Sequence, residues 1–225
     1  MKLTDYYFLL ISALPVSISK PFYLASNFIF SDRRSSDYEK IMSEIFKNQV
    51  RGDYFEFGVY KGRSLVLFYY LAKKIGLRIR FFGFDSFEGL PESEGKVFTK
   101  GQFSFSQEKL KKYLEKVGVM DDVFLIKGYY SQSLTKELFT DHQLNKASVI
   151  HIDCDLYIST KQVLSFIEPL LQNGTIIIFD DWGSFGNNDQ LGQQRAFNEF
   201  QLKRYFQDID YVSETKAFRY IENEQ

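Results

Sequence analysis

An α/β fold built on a mostly parallel sheet is predicted by three features of this chain. Short β-branched and aromatic runs alternate with stretches of helical periodicity, the pattern of repeated βα units with helices on both faces of a sheet. Two runs, Val149–Asp153 and Thr175–Phe179, are apolar almost throughout, as strands buried on both faces are. Each run delivers acids to its C-terminal end, Asp153 and Asp155 from the first and Asp180 and Asp181 from the second. That edge is where open α/β sheets bind their ligands.

The elements follow in order. Residues 1–35 read as an N-terminal arm and 36–225 as the folded domain. Tyr54–Val59 is the first strand and Ser64–Ile75 the helix after it. Arg78–Phe84 is the second strand. Ser106–Val117 is an amphipathic helix with Leu110, Tyr113, Leu114 and Val117 at helical spacing. Val123–Lys127 is the third strand, followed by a short helix over Leu134–Phe139. After the fourth strand, Thr160–Leu171 is helical and Gly174 stops it. The fifth strand leads to a helix over Gln193–Tyr205. Ile209–Ser213 and Ala217–Ile221 close the sheet as a hairpin.

A length of 225 residues suits one domain with a sizeable core. A formal charge of −1 gives no sign of a nucleic-acid partner. The 24 Phe and 15 Tyr point to an aromatic core, with an aromatic-walled pocket as the alternative. One cysteine, Cys154, excludes an internal disulfide and a multi-cysteine zinc site. Tyr6–Ile18 is apolar, follows Lys2 and has the look of a signal-peptide core. It is too short to span a membrane, carries Pro15 and lacks a small-x-small cleavage pattern, so a cytoplasmic protein is expected. The arm is then free to pack on the domain or on another subunit, making a homo-oligomer.

The chemistry-bearing residues lie at strand ends. Glu56-Phe57-Gly58-Val59-Tyr60-Lys61-Gly62 leaves the first strand and opens a helix. Gly58 and Gly62 permit a tight turn and close approach to a ligand. The spacing is neither GxGxxG nor a P-loop, so a dinucleotide or nucleoside triphosphate is not its natural guest. Asp85 ends the second strand, 27 residues after Gly58, where an acid accepts hydrogen bonds from ribose hydroxyls. Glu56 suits an ammonium group or an ordered water. An adenosine at one end and a cationic amino acid at the other describe S-adenosylmethionine. The four strand-tip acids suit a divalent cation bound through oxygen, with a carboxylate to spare for proton transfer. Adjacent acids such as Asp180 and Asp181 repel each other unless a cation is present.

These motifs together are similar to a known family. FEFGVYKGRSL, FFGFDSFEGLPE, HIDCDLYIST, and FDDWG with GQQRAFNEF resemble the macrocin O-methyltransferases over about Gly52–Phe200. The resemblance implies the class I methyltransferase Rossmann-like fold, with seven strands and the last antiparallel. It implies methyl transfer from S-adenosylmethionine, with Mg²⁺, to a hydroxyl of a sugar in a natural product or surface glycan. By motif, Asp153, Asp180 and Asp181 correspond to metal ligands and Asp155 to the general base. Glu56, Gly58 and Asp85 correspond to cofactor contacts, with Val59, Tyr60, Gly62 and Ser64 continuing that turn. Ser86 and Phe87 would flank the adenosine, Gly128 would lie near the adenine, and Asp153 would border the cofactor. Trp182 departs from the pattern, which has Tyr after the paired acids.

Some assignments stay open at this stage. His151 is either a polar contact at the strand end or a catalytic group; a non-haem iron site would need a second, downstream histidine, and His142 lies upstream. Arg195 and Glu199, four apart, are expected to form an intrahelical ion pair, with contact to the acceptor as the alternative. Trp182 either stacks on a sugar or covers the acid loop. Two other functions fit parts of the pattern. Asp153-Cys154-Asp155 is a DxD, as in metal-dependent glycosyltransferases, and a non-catalytic cofactor-binding subunit would keep the glycine turn.

Overall fold

The computed structural model describes residues 33–186, 188–212 and 215–222. The apolar stretch Tyr6–Ile18, most of the arm and Ser213 lie outside them. The chain runs α1 (Arg33–Lys47), β1 (Asp53–Phe57), α2 (Arg63–Lys74), β2 (Phe81–Asp85), α3 (Gln107–Lys116) and β3 (Val123–Lys127). It continues through α4 (Tyr130–Ser133), α5 (Glu137–Asp141), β4 (Ala147–Ile152), α6 (Tyr157–Ile167), β5 (Ile176–Phe179), α7 (Gly192–Asn198), β6 (Phe206–Asp208) and β7 (Lys216–Tyr220).

The seven strands lie in the order β3-β2-β1-β4-β5-β7-β6. β1 to β5 pair in parallel, and β7 inserts antiparallel between β5 and β6. The expected sheet, last strand included, is therefore present. Strand order reverses between β1 and β4, which opens a crevice at their C-terminal ends.

Phenylalanine holds one face together. In the parallel register Phe55 lies opposite Phe82, Phe82 opposite Phe124, and Phe57 opposite Phe84. Their rings stack at centroid distances of 5.2, 5.0 and 4.7 Å. Such pairs contribute about 0.5–1.5 kcal/mol beyond the area they bury. The aromatic-core reading of the composition is the one this face supports.

Several boundaries differ from the sequence reading. α1 had no counterpart there, although Tyr38, Ile41, Met42 and Ile45 form a buried stripe at helical spacing. Glu44 ties this helix to the C-terminal strand, accepting from Arg219 Nε at 2.7 Å and Tyr211 Oη at 2.6 Å. α6 stops at Ile167 because Pro169 has no N–H to continue the ladder, and a 3₁₀ turn over Glu168–Leu170 follows. The helix expected over Gln193–Tyr205 breaks at Phe200, whose backbone is extended and whose side chain is buried. A 3₁₀ turn over Gln201–Tyr205 then feeds β6 three residues earlier than expected, so that Phe206 packs on Phe197, 5.5 Å away, and Tyr220, 5.2 Å away. The single short helix expected after β3 is two, α4 and α5, separated at Leu134.

Among the described residues no helix is long and apolar enough to cross a membrane. The phenylalanine ladder sets an expectation for stability. Phe82→Ala should lower the unfolding free energy by about 3–5 kcal/mol in urea denaturation. Phe124→Ala, at the exposed end of the same ladder, should cost well under half of that.

Candidate active site

β1 and β4 are pressed together where they end. Asp153 N–H donates to the Phe57 carbonyl at 2.8 Å, and Gly58 follows with φ +95°. A Cβ on Gly58 would sit 1.7 Å from the Asp153 carbonyl oxygen. Glycine is therefore required here by the neighbouring strand and not only by a ligand. Gly62 differs: its φ of +74° favours glycine, but a Cβ there would meet only the movable Leu110 Cδ1 on α3 at 2.6 Å.

Asp85 organises the turn between these glycines. Its Oδ2 accepts from Val59 N at 2.9 Å and Tyr60 N at 2.8 Å, and its Oδ1 accepts from Phe87 N at 2.6 Å. Burial pushes this carboxyl up, against the three backbone donors, which hold it down. A carboxylate offers roughly four acceptor sites, so Oδ1 keeps one for a further donor. The Ser86 hydroxyl is used within its own loop, donating to Gly89 O and accepting from Glu88 N. Phe87 is buried in the core at φ +57°. Gly128 donates its N–H to Asp85 O at 3.0 Å, and a Cβ on it would press on Ser133.

Strand periodicity gathers the acids. Glu56, His151 and Ile178 are register partners on β1, β4 and β5. Asp153 and Asp180 lie two residues beyond His151 and Ile178, so they continue the same face. Glu56 is fully buried; its Oε1 accepts from Ser64 Oγ at 2.8 Å and its Oε2 from the Tyr54 hydroxyl. His151 lies between the acids, with Nδ1 3.7 Å from Glu56 Oε2 and Nε2 3.7 Å from Asp180 Oδ1. Burial lowers the imidazole, but these carboxylates outweigh it and raise it to about 10. Asp180 is met from α1: Arg34 donates to its Oδ2 at 2.6 Å and Tyr38 Oη to its Oδ1 at 3.2 Å. Burial pushes Asp180 up, yet His151 and Arg34 together hold it below the usual carboxylate range.

Asp153, Asp180 and Asp181 each place a carboxylate oxygen within 4.8 Å of the others. Burial and mutual repulsion push Asp153 well up, and Asp181 is raised for the same reasons. Asp181 Oδ1 accepts from Ser184 Oγ at 3.1 Å, while its Oδ2 is buried with no hydrogen-bond partner. Three converging oxygens and an orphaned acceptor are a donor set that fits a hard divalent cation.

Asp155 lies against Asp181, beside that triad. The Leu156 N–H donates back to the Cys154 carbonyl at 2.6 Å, closing a γ-turn with Asp155 at its apex and φ +61°. This left-handed turn is rare and strained for a residue with a side chain. Burial first, then Asp181, pushes the Asp155 carboxyl up to about 9.

Two glutamines that the sequence reading quoted without a role hold the acid loop. Gln193 is buried; its Oε1 accepts from Asp181 N at 3.0 Å and its Nε2 donates to the Ile152 carbonyl at 2.9 Å. It thus couples the ends of β4 and β5. Gln194 donates to the Trp182 carbonyl at 2.6 Å. Adjacent glutamines opening a helix just after an acid pair were the available signal. Trp182 packs on Phe179, Phe197 and Phe218 at 5.2, 5.8 and 5.3 Å, so it covers the loop. Arg195 and Glu199 form the expected ion pair at 3.0 Å, and Arg195 stacks on Tyr157 at 4.0 Å.

The profile of macrocin-O-methyltransferase (TylF) matches residues 21–217. The chain belongs to the macrocin O-methyltransferase family. One relative, the 8-demethyl-8-(2,3-dimethoxy-alpha-L-rhamnosyl)-tetracenomycin-C 4'-O-methyltransferase of Streptomyces olivaceus, is 26% identical over 176 residues. That match covers 73% of this chain and 66% of the relative, so the chain spans slightly less than two thirds of its length. The O-methyltransferase NovP superposes with a TM-score of 0.70 at 19% identity, covering 84% of this chain and 80% of NovP. CalS11, a calicheamicin methyltransferase, gives a TM-score of 0.69 at 23% identity, covering 96% and 90%. The macrocin O-methyltransferase sheet found here is thus the class I methyltransferase fold.

Two substitutions test the geometry. Gly58→Ala should drive β1 and β4 apart and lower the melting temperature by several degrees, read by differential scanning calorimetry. Gln193→Leu strands the Asp181 N–H and the Ile152 carbonyl, and should cost about 1–3 kcal/mol for each group left unpaired, measured by chemical denaturation.

Proposed function

We propose that this protein is a Mg²⁺-dependent O-methyltransferase that moves the methyl group of S-adenosylmethionine to a hydroxyl of a sugar moiety. The observation that carries this reading is the meeting of Asp153, Asp180 and Asp181 around an orphaned carboxylate oxygen, beside the Gly58 turn and Asp85. The family supports the reaction type. The Streptomyces olivaceus relative is named for methylation within a rhamnosyl-bearing compound, which supports a sugar as acceptor.

In this reading Asp85 takes one ribose hydroxyl on its free acceptor site. Its backbone bonds fix the carboxylate before the ligand arrives, so little orientation is lost on binding. Glu56 and the Gly58 turn border the amino-acid end. S-adenosylmethionine supplies a methyl group already activated on a sulfonium. Asp153, Asp180 and Asp181 would hold Mg²⁺, which when bound lowers the pKa of an alcohol and fixes its direction. Asp155 would take the hydroxyl proton on its carboxylate as the new C–O bond forms, once a cation beside Asp181 offsets the repulsion that holds its carboxyl up. His151 keeps Glu56 and Asp180 in register by lying between them.

The γ-turn at Asp155 also argues against a glycosyltransferase DxD. Among the described residues the clustered oxygens come from Asp153 and the Asp180-Asp181 pair, not from both acids of Asp153-Cys154-Asp155.

Isothermal titration should detect S-adenosylmethionine binding to the wild type, and its absence would remove the reading. Asp181→Asn should leave that affinity within about twofold while lowering turnover by at least about a hundredfold. Asp155→Asn should lower turnover by about 10²–10⁴ with cofactor binding retained. Chelation by EDTA should abolish turnover, and added Mg²⁺ should restore it.

A further inference from the structure

The segment between β2 and α3 contains an acid that neither the family resemblance nor the site description has used. Glu94 Oε2 accepts from Tyr157 N at 2.6 Å, and its Oε1 accepts from Gly192 N at 2.9 Å. One carboxylate therefore closes the first turns of both α6 and α7. α6 begins just after the acid-bearing end of β4, and α7 is the first helix after the acid-bearing end of β5.

Each bond continues to a working group. Tyr157 lies two residues beyond Asp155, at the exit of the γ-turn. The intervening Leu156 is fully buried against Leu90 and Phe98 of the same segment as Glu94. Gly192 precedes Gln193, whose amide holds the Asp181 N–H and the Ile152 carbonyl. Gly192 also sits at φ +53°, where a Cβ would be 2.5 Å from the Phe185 ring. Glu94 itself is presented by a stiff support. Its backbone pairs in both directions with Phe98, at 3.1 and 3.3 Å, and Leu90 pairs with Gln102 and Gly101 below it.

We infer that Glu94 is a positioning residue, a brace that sets Asp155 and Asp181 against each other by holding the first turns of α6 and α7 at once. Without it the strained turn at Asp155 keeps its own short backbone bond, the packing of Leu156, the Thr160 N–H on the Leu156 carbonyl and the contact with Asp181, but loses its tie to α7. A left-handed conformation persists only where its surroundings over-determine it, and Glu94 is one of the few polar groups here that do so. An anionic carboxylate receiving two backbone N–H groups also makes charge-assisted bonds, stronger than neutral ones. The inference rests on the proposed roles of Asp155 and Asp181, so its test separates them from the brace itself.

Glu94→Ala and Glu94→Gln are compared with the wild type for S-adenosylmethionine affinity, Mn²⁺ affinity and amide hydrogen exchange. In Glu94→Ala, Mn²⁺ binding should weaken about tenfold while S-adenosylmethionine affinity stays within about twofold. Glu94→Gln keeps one acceptor oxygen and should fall between the two. Exchange should accelerate at Leu156 and Asp181 as well as at Tyr157 and Gly192. Mn²⁺ affinity unchanged in Glu94→Ala, or faster exchange confined to residues 86–106, would overturn the inference. Should the wild type bind S-adenosylmethionine but no Mn²⁺, the metal reading fails by itself. The exchange at Leu156 and Asp181 then decides the brace, supporting it if faster and overturning it if unchanged.

Discussion

Repulsion among carboxylates is the constraint to which the rest of this end of the molecule answers. Four acids are carried to one buried rim by β4 and β5, where charge is poorly screened and costly to desolvate. The fold does not remove the repulsion; it distributes partners unevenly. Asp180 receives Arg34 and Tyr38 from α1, and His151 from below. Asp181 receives a serine hydroxyl on one oxygen, and its other oxygen has no hydrogen-bond partner among the described residues. Asp153 is left almost wholly to its neighbours. The imbalance leaves negative charge uncompensated at one place, and in the proposed function a small hard cation would offset it.

Backbone proximity turns this local arrangement into a property of the whole crevice. The Gly58 turn shapes the half of the site around Asp85, and the Asp153 carbonyl starts the acid half. The two touch with no room for a side chain between them. The Gln193 amide does for β4 and β5 what this contact does for β1 and β4. Three adjacent strand ends are therefore drawn together by a missing Cβ and one bridging amide, in addition to their backbone bonds and the core beneath them.

Much of this was legible in the sequence because its signals are local. An apolar run that ends in acids identifies β4 and β5, and the period of two places Asp153 on the face of His151. The same period would put Asp155 there too. The γ-turn re-aims it toward Asp181, and the Leu156 packing on Leu90 and Phe98 that accompanies the turn is a contact no local pattern records. α1 carried a readable stripe, but its reach to Asp180 spans 146 positions and had no sequence signature. The start of the sixth strand differs from the sequence reading for a related reason. Ile209 and Phe206 are both apolar, and only the rings of Phe197 and Tyr220 decide which of them joins the ladder.

Trp182 is the sole tryptophan in the chain. It adjoins Asp181, its carbonyl is held by Gln194, and its indole rests on three phenylalanines behind the acid loop. The molecule thereby carries a built-in optical probe at the place where its charge is most crowded. Emission excited at the red edge, where tyrosine is silent, comes from that single position, so a change in colour or yield is a message from the acid loop alone.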